Sequence, residues 1–519
     1  MKTLLNALPK FLGRDSLPSV ASCEGRADPA SEVGHRRALQ PFATKALLAL
    51  AIAISTNSSV LSNETIGHKD FVHVEKQGGI WTMVKGDGEA FVPLGMNHVG
   101  PMSRFAPYNR EHWAKEIGGG ILKNGRVDFK SEGAKTWLEI IAKDHKDYGF
   151  NTLAFHHPHT LPTEYCNELE LYYFAKLRMS HVHARRAKRM SATKMFPDVF
   201  DSAWVQRLDH FVENFTARHR DGKYLLGYSY DDLPAYTIHN LERPIRKFEH
   251  HPWIVDVLSK PGKTKGKSEW IEVLQKQYSS AAKAGDMYGL AIKSWDDFYD
   301  IKSYGLPKDE EQGFADQALM NAKIIRAYHK AHHDAIRKYD PHHLILGDKI
   351  QNARSQPDWV WNIVKEYVDV ILIQDYDFFT PLHAKKLRHI YEVTGKPIIN
   401  GDHAYGAIRP NMENVKGVVV PTMKDKGEQY AVYLKGIMSL PFMLGWQTCG
   451  YLETWTGTSD ATGKSQTGYF DPMGRPILEA LEPAREANAS ALAWRRQAGK
   501  EKISYSTMKR APLRTQKKR

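Results

Sequence analysis

The amino-acid sequence predicts an α/β fold, a (β/α)8 TIM barrel with a short N-terminal β segment and a helical insertion after strand four. Three observations support this prediction. Short apolar runs of strand length recur along the chain, amphipathic stretches of helix length separate them, and polar residues follow the runs directly. Strands that are apolar throughout are typical of parallel sheets buried on both faces. In a barrel of such strands, the C-terminal strand ends meet at one opening.

The predicted elements follow one another in a regular order. Two strand-like runs at residues 71–74 and 80–84, followed by the turn signal Gly86-Asp87-Gly88, form a lead-in. The eight barrel strands are expected at residues 92–97, 151–155, 172–177, 225–229, 344–347, 370–373, 397–400 and 443–447. Helical patterns lie at residues 134–147, 201–218, 314–339, 358–367, 384–393 and 427–439. Residues 235–313 are expected to form a helical excursion over the barrel mouth.

The N-terminal region carries the pattern of an export signal. The basic residues Arg36, Arg37 and Lys45 precede nine apolar residues at 46–54, and small polar residues follow at 55–59. The apolar run is short for a bilayer span, so we expect a secreted or periplasmic protein with no stable membrane insertion after signal removal. Because such signals normally begin near the first residue, the true start is expected downstream of Met1. A buried apolar helix is the alternative.

Four segments are therefore expected along the chain. They are a signal or targeting segment at 1–62, a short β-hairpin lead-in at 63–90, the barrel domain at 91–495 and a basic C-terminal tail at 496–519.

Composition and charge narrow the class of protein. The chain has 519 residues, of which 42% are hydrophobic and 11% aromatic, so it can bury a large core. The net charge of +13 is concentrated at the ends, since residues 1–60 carry +3 and residues 500–519 carry +7. The nearly balanced body does not predict a nucleic-acid partner. The three cysteines do not form a disulfide framework, and Cys449 is expected as a packed core thiol.

Polar and ionisable residues end most of the predicted strands. They are Asn97-His98, His156-His157, Asp231-Asp232, Asp348, Gln374-Asp375, Asp402-His403, and Gln447 with Glu453 beyond it. Aromatic residues accompany them, namely Tyr228, Tyr230, Tyr376, Phe378, Phe379, Tyr405, Trp446 and Trp455. Two carboxylates facing each other at such an opening suggest hydrolysis of a glycosidic bond, and aromatic rings suit the apolar faces of sugars. No spaced carboxylate completes a metal site with the neighbouring histidines, so no metal or other cofactor is expected.

These motifs, taken in order, resemble those of bacterial agarase-like (β-agarase-related) glycoside hydrolases with a TIM barrel. The matching segments are FVPLGMNH at 91–98, FPDVFD at 196–201, GYSYDD at 227–232, SW at 294–295, GW at 445–446 and QTG at 466–468. The resemblance spans residues 69–490. It implies a galactan-type polysaccharide or oligosaccharide as the substrate.

The resemblance also implies roles for the strand ends. Strand four of that clan usually ends in Asn-Glu, with the glutamate as general acid/base, and strand seven ends in a glutamate nucleophile. Here the corresponding residues are Asp232-Leu233 and Asp402, so a leucine stands at the usual acid position. Asp402 is the expected nucleophile or base, and Asp232 or Asp231 the expected acid. Glu453 and Asp375 are the alternative proton donors.

The remaining mouth residues are expected to position sugars. They are Asn97, His98, His156, Tyr230, Gln374, Asp375, His403, Trp446 and Glu453. Because aspartate is one methylene shorter than glutamate, the sequence leaves open whether the reaction retains or inverts the anomeric configuration. The sequence therefore predicts hydrolysis of an agar-like galactan, with or without sulfate groups. The alternatives are a catalytically inactive carbohydrate-binding barrel, for which Leu233 argues, and a binder of anionic surfaces or nucleic acid through the basic tail.

Overall fold

Seventeen short strands appear in the described part of the chain, in a computed structural model. The structure describes residues 63–118, 121–123, 126–157, 161–177, 196–232, 248–407, 417–454 and 467–508. The expected signal segment, Leu233, Trp455 and the last eleven residues of the basic tail lie outside these ranges. Within them, no helix has both the length and the apolar character needed to cross a membrane.

The strands and helices alternate through most of the chain. The strands are β1 (Glu64–Ile66), β2 (His73–Gln77), β3 (Ile80–Val84), β4 (Ala90–Phe91), β5 (Leu94–Met96), β6 (Leu122–Lys123), β7 (Arg126–Val127), β8 (Thr152–Leu153), β9 (Tyr172–Lys176), β10 (Leu225–Ser229), β11 (Ile345–Gly347), β12 (Ile350–Gln351), β13 (Ile371–Gln374), β14 (Ile398–His403), β15 (Tyr405–Ala407), β16 (Val418–Val420) and β17 (Met443–Thr448). The helices are α1 (Arg110–Glu116), α2 (Glu132–Asp147), α3 (Thr163–Glu168), α4 (Ser202–Thr216), α5 (Pro252–Leu258), α6 (Lys265–Gln277), α7 (Ala281–Met287), α8 (Glu310–Tyr339), α9 (Asp358–Val364), α10 (Pro381–Thr394), α11 (Met423–Met438) and α12 (Leu478–Arg496).

Nine of these strands form one parallel sheet in the order β11-β10-β9-β8-β5-β17-β14-β13-β12. The two ends of that order, β11 and β12, are separated in the chain by Asp348 and Lys349 alone. One stretch of chain therefore pairs with β10 on one side and with β13 on the other. This arrangement fits the α/β barrel that the sequence predicts.

The predicted strands coincide with the observed ones to within a few residues. The largest difference is at β14, which continues to His403 and so includes Asp402 in its ladder with β13. The helix α12 was not predicted, although it packs along α11. Arg495 of α12 is fully buried and donates hydrogen bonds from Nη1 to Leu440 O at 2.6 Å and Met443 O at 2.7 Å. The last helix is thereby attached to the start of the eighth barrel strand.

Two further groups of elements flank the barrel. The strands β1 to β4 form an antiparallel sheet before it, with β2 and β3 as a hairpin. After β10, helices α5 to α7 precede the 30-residue helix α8, whose first turn is capped by the Asp309 side chain. The long helix packs against α4, α6 and α9, which ties the helices after β10 to the outer layer.

Buried histidines are a recurrent feature of the interior. In five of them burial lowers the pKa. These five lie on α2, just after the C-terminus of α4, on α8 and on β14. Burial lowers the pKa to about 4 in His145, His332 and His403 and to about 3 in His219 and His329. The imidazoles are therefore neutral in the folded protein at pH 7, and two of them, His145 and His332, donate from Nδ1 to a backbone carbonyl one helical turn earlier at 2.8 Å.

The free energy of unfolding should fall as the pH is lowered from 7 to 5. In this window the unfolded chain protonates these five histidines, whereas the folded protein keeps them neutral, so the unfolded state binds more protons. Each contributes up to about 1.4 kcal/mol per pH unit. Urea denaturation at a series of pH values measures the slope, and His332→Gln should reduce it by roughly one histidine's share. A free energy of unfolding that stays constant between pH 7 and 5 would contradict this account.

Candidate functional site

Asp402 lies on β14 at the C-terminal end of the barrel strands, with 3% of its surface exposed. Its Oδ1 accepts hydrogen bonds from Tyr376 Oη at 2.7 Å and from Asn97 Nδ2 at 3.4 Å. Its Oδ2 accepts from Lys349 Nζ at 2.6 Å and lies 3.3 Å from His156 Nε2. Residues from four other strand ends thus surround this carboxylate.

The surroundings of Asp402 favour its charged form. Burial by itself opposes ionisation, but the contact with the Lys349 ammonium holds the pKa of Asp402 well below its ordinary range. The same contact has the opposite effect on a neighbour, because burial and the Lys349 charge together lower the pKa of His156 well below its usual value. At neutral pH the site therefore contains an ionised Asp402 and a neutral His156.

The two aspartates after β10 face in different directions. The Oδ1 atom of Asp232 accepts from Gln351 Nε2 at 3.1 Å and lies 3.4 Å from Lys349 Nζ, while its Oδ2 lies 3.4 Å from His156 Nε2. Asp231 is 1% exposed, and its charge acts on His332 of α8. Of the two aspartates, it is therefore Asp232 that shares the opening with Asp402.

Lys349 joins the two carboxylates. Its side chain is fully buried, and Nζ lies 2.6 Å from Asp402 Oδ2, 2.8 Å from His156 Nε2 and 3.4 Å from Asp232 Oδ1. An ammonium group has three protons and no lone pair, so it donates to Asp402 and His156, and it forms a longer ion pair with Asp232. The same nitrogen lies 5.0 Å from the centre of the Phe155 ring.

The shared nitrogen limits the separation of the carboxylates. Because Lys349 Nζ lies 2.6 Å from Asp402 and 3.4 Å from Asp232, the nearest oxygens of the two side chains are at most about 6 Å apart. Inverting glycosidases hold their carboxyl groups about 6.5 to 9.5 Å apart. A separation of about 5 to 5.5 Å is typical of retaining enzymes.

A pair of stacked histidines lies next to the carboxylates. The rings of His98 and His156 are 4.6 Å apart and inclined by 8°. His98 is exposed and has a φ of 60°, in the left-handed region that residues other than glycine rarely adopt. Asn97 supports the pair, since its Oδ1 accepts a hydrogen bond from the His156 backbone N–H at 2.8 Å. Local strain of this kind is concentrated at functional sites.

Asp375 belongs to a second, separate cluster of charges. Its carboxylate lies 2.6 Å from Arg354 Nε and 2.7 Å from His383 Nε2, and Arg354 Nη1 lies 3.0 Å from Asp377. Burial opposes ionisation, yet His383 and Arg354 lower the pKa of Asp375 to about 2. This carboxylate is engaged within its own ion pairs rather than with Asp402.

The other predicted sugar ligands lie deeper in the structure or beside the site. Tyr230, His403 and Trp446 are at most 1% exposed. The Tyr230 hydroxyl donates to Tyr367 O at 3.2 Å, and the His403 and Trp446 rings pack against Tyr433. These three support the mouth from behind.

Gln374 and Glu453 occupy different positions at the mouth. Gln374 pairs with Asp402 in the ladder between β13 and β14. Glu453 is 1% exposed, and its backbone N–H donates to Phe470 O at 2.8 Å.

Sequence reasoning missed Lys349 and the direct role of Tyr376. Lys349 follows Asp348, and neighbouring side chains of an extended chain point to opposite faces. This alternation is the signal that could have placed Lys349 inside the barrel. Cys449, expected as a packed core thiol, is half-buried and hydrogen-bonded to Tyr376. Burial raises the pKa of Cys449, so it is a protonated thiol and not a nucleophile at neutral pH.

Comparison with known proteins bears on the fold. No protein-family model matches the sequence, and no curated protein matches it. Among solved structures, an exo-beta-agarase superposes with a TM-score of 0.63 at 17% identity, covering 84% of this chain and 66% of that one. The agarase AgWH50C gives 0.63 at 16% identity, with coverages of 84% and 67%. The protein PfGH50B gives 0.62 at 16% identity, with coverages of 83% and 67%.

The chain thus spans about two thirds of the length of these structures. At such identities the likeness concerns the fold. In its fold, the chain resembles agarase-like glycoside hydrolases.

Proposed function

We propose that the protein is a glycoside hydrolase in which Asp402 and Asp232 are the catalytic carboxylates. The observation that supports this most strongly is their common contact with Lys349 Nζ, which keeps their nearest oxygens within about 6 Å at the C-terminal ends of β14 and β10. Asp231 is buried beside α8 and is therefore not proposed as the acid. The fold shared with agarases makes an agar-like galactan, with or without sulfate groups, the proposed substrate.

The proposed reaction retains the anomeric configuration. Asp402 attacks the anomeric carbon and forms a covalent ester, while the glycosidic oxygen leaves with a proton from Asp232. Asp232, now charged, then takes a proton from a water molecule that attacks the same carbon and releases Asp402. The exposures suit these roles, since the side chain of Asp232 is 25% exposed and that of Asp402 is 5% exposed. The more exposed carboxylate exchanges protons with solvent.

The residues around the pair are proposed to bind the sugar. Asn97, His98, His156 and Gln374 lie next to Asp402 in space or in the β ladder. Glu453, His403, Trp446, Tyr230 and Asp375 would shape the walls behind them. Export through the segment at 1–62 and action on a polysaccharide outside the cell remain part of the same proposal.

A carbohydrate-binding barrel without catalysis is the second candidate. Two observations favour it. Leu233 stands where the agarase-like enzymes have their acid, and the two remaining carboxylates both lie within ion-pair distance of the same cation, Lys349. Under this alternative the same sugar-contacting residues bind a glycan that is not cleaved.

Asp402→Asn and Asp232→Asn distinguish the two candidates. If the protein is a glycosidase, each substitution should lower kcat on agarose oligosaccharides by about 10²- to 10⁴-fold, because each removes a group that forms or transfers a bond. Asp316→Asn is a matched control, since Asp316 is a buried carboxylate on α8 that accepts from Tyr278 and Tyr288 hydroxyls. The kcat of this control variant should stay within a few-fold of the wild-type value. Binding of these glycans without turnover by the wild type would instead identify a binding barrel.

Proton NMR of the first product formed tests the stereochemistry. The spacing of the carboxylates predicts that the β-anomer appears first from a β-linked substrate. Initial appearance of the α-anomer would mean that water enters between the carboxylates, which contradicts the proposed role of Asp402 as the nucleophile.

A further inference from the structure

We propose that Lys349 is a positioning residue, which holds Asp402 and Asp232 at a fixed separation from beneath the mouth. The inference rests on the proposed function, because it assigns a new role within that site. Neither the pattern of the sequence nor the roles implied by the resemblance include this lysine.

The buried ammonium of Lys349 is surrounded by acceptors that belong to the mouth. The side chain is fully buried, whereas Asp232 is 25% exposed, so the ammonium approaches the carboxylates from the barrel interior. Burying an ammonium group is costly unless acceptors replace its hydration. Here Nζ donates to Asp402 Oδ2 and His156 Nε2, and it forms an ion pair with Asp232 Oδ1 at 3.4 Å. Each acceptor is a side chain of the mouth, which a purely structural lysine would not require.

The backbone places Lys349 at this point. It lies in the two-residue gap between β11 and β12, and its N–H donates to Asp231 O at 3.1 Å. The end of strand four and the interruption of strand five are therefore joined through this backbone hydrogen bond and through the ion pair of Nζ with Asp232. Asp348, the neighbouring residue, accepts from the Asp231 N–H at 2.7 Å. The two chain segments hold the lysine and Asp232 in a fixed relation.

The charge balance explains why the lysine matters. Two ionised carboxylates within about 6 Å repel each other, and the Lys349 ammonium supports the ionised form of Asp402, the proposed nucleophile. The groups that face Asp402 are Lys349, His156, His98, Tyr376, Cys449 and, across Lys349, Asp232. Lys176 acts on the same region through His156. His156 is neutral, so the ammonium of Lys349 is the charge in direct contact with both aspartates.

Lys349→Met tests the role. Without the ammonium, ionisation of Asp402 becomes harder, so the acid limb of the kcat/KM profile should move upward by at least about one pH unit. Infrared spectroscopy should show a protonated carboxyl band that persists to a correspondingly higher pH than in the wild type. Lys267→Met is the matched control, because Lys267 is a buried lysine on α6 whose Nζ donates to Tyr299 O at 2.5 Å. It should leave both readouts unchanged.

The double variant Lys349→Met/Asp402→Asn keeps the proposal testable if the single variant does not fold. It removes one charge of each sign, and because it lacks the ammonium that Asp402→Asn retains, its remaining mouth carboxylate should show a protonated band that persists to a higher pH than in Asp402→Asn alone. A Lys349→Met protein with a wild-type acid limb and a wild-type carboxyl band would overturn the proposal. The infrared titration does not depend on turnover, so a wild type that cleaves no glycan refutes the proposed function while the role of Lys349 is still measured.

Discussion

Closure of the parallel sheet through one interrupted strand is the constraint on which the site depends. The stretch that contains β11 and β12 pairs with β10 on one side and β13 on the other, and its two intervening residues are both charged. An extended chain points neighbouring side chains to opposite faces. Asp348 therefore binds the backbone of strand four, while Lys349 enters the barrel interior. The chemistry of the mouth follows from this placement, because the carboxylates of β10 and β14 come together around that ammonium.

A small number of cationic groups hold the carboxylates below the mouth. Asp402 and Asp232 share one lysine, and Asp375 is held apart by Arg354 and His383. Buried histidines such as His145 and His332, whose pKa burial lowers, are neutral, so they add hydrogen bonds without adding charge. Buried ion pairs contribute little net stability because desolvation offsets the attraction. Here the ion pairs fix the positions of the carboxylates, because each carboxylate has a defined set of donors and therefore a defined orientation.

The sequence was sufficient for the parallel strands of the α/β barrel and for the place of Asp402 at the end of one of them. Apolar runs of strand length mark buried parallel strands, and Asp402 directly follows one of them, so its position could be predicted. The choice between Asp231 and Asp232 could not be predicted, because one residue of register decides which of them faces the mouth. Lys349 was missed for a related reason, since a lysine after a strand usually lies in solvent, and its burial depends on acceptors far away in the chain. The helix α12 has a proline at 483 and a weakly amphipathic pattern, and its packing against α11 is a tertiary effect.

The central claim is that Asp402 forms the covalent intermediate while Asp232 moves the proton. An activated 2-deoxy-2-fluoro-galactoside, which forms such an intermediate quickly and releases it slowly, tests the claim directly. Mass spectrometry of the intact protein followed by peptide mapping should find one added sugar, attached at Asp402. A label on a different residue, or a protein that cleaves galactan without ever acquiring the label, would contradict the account.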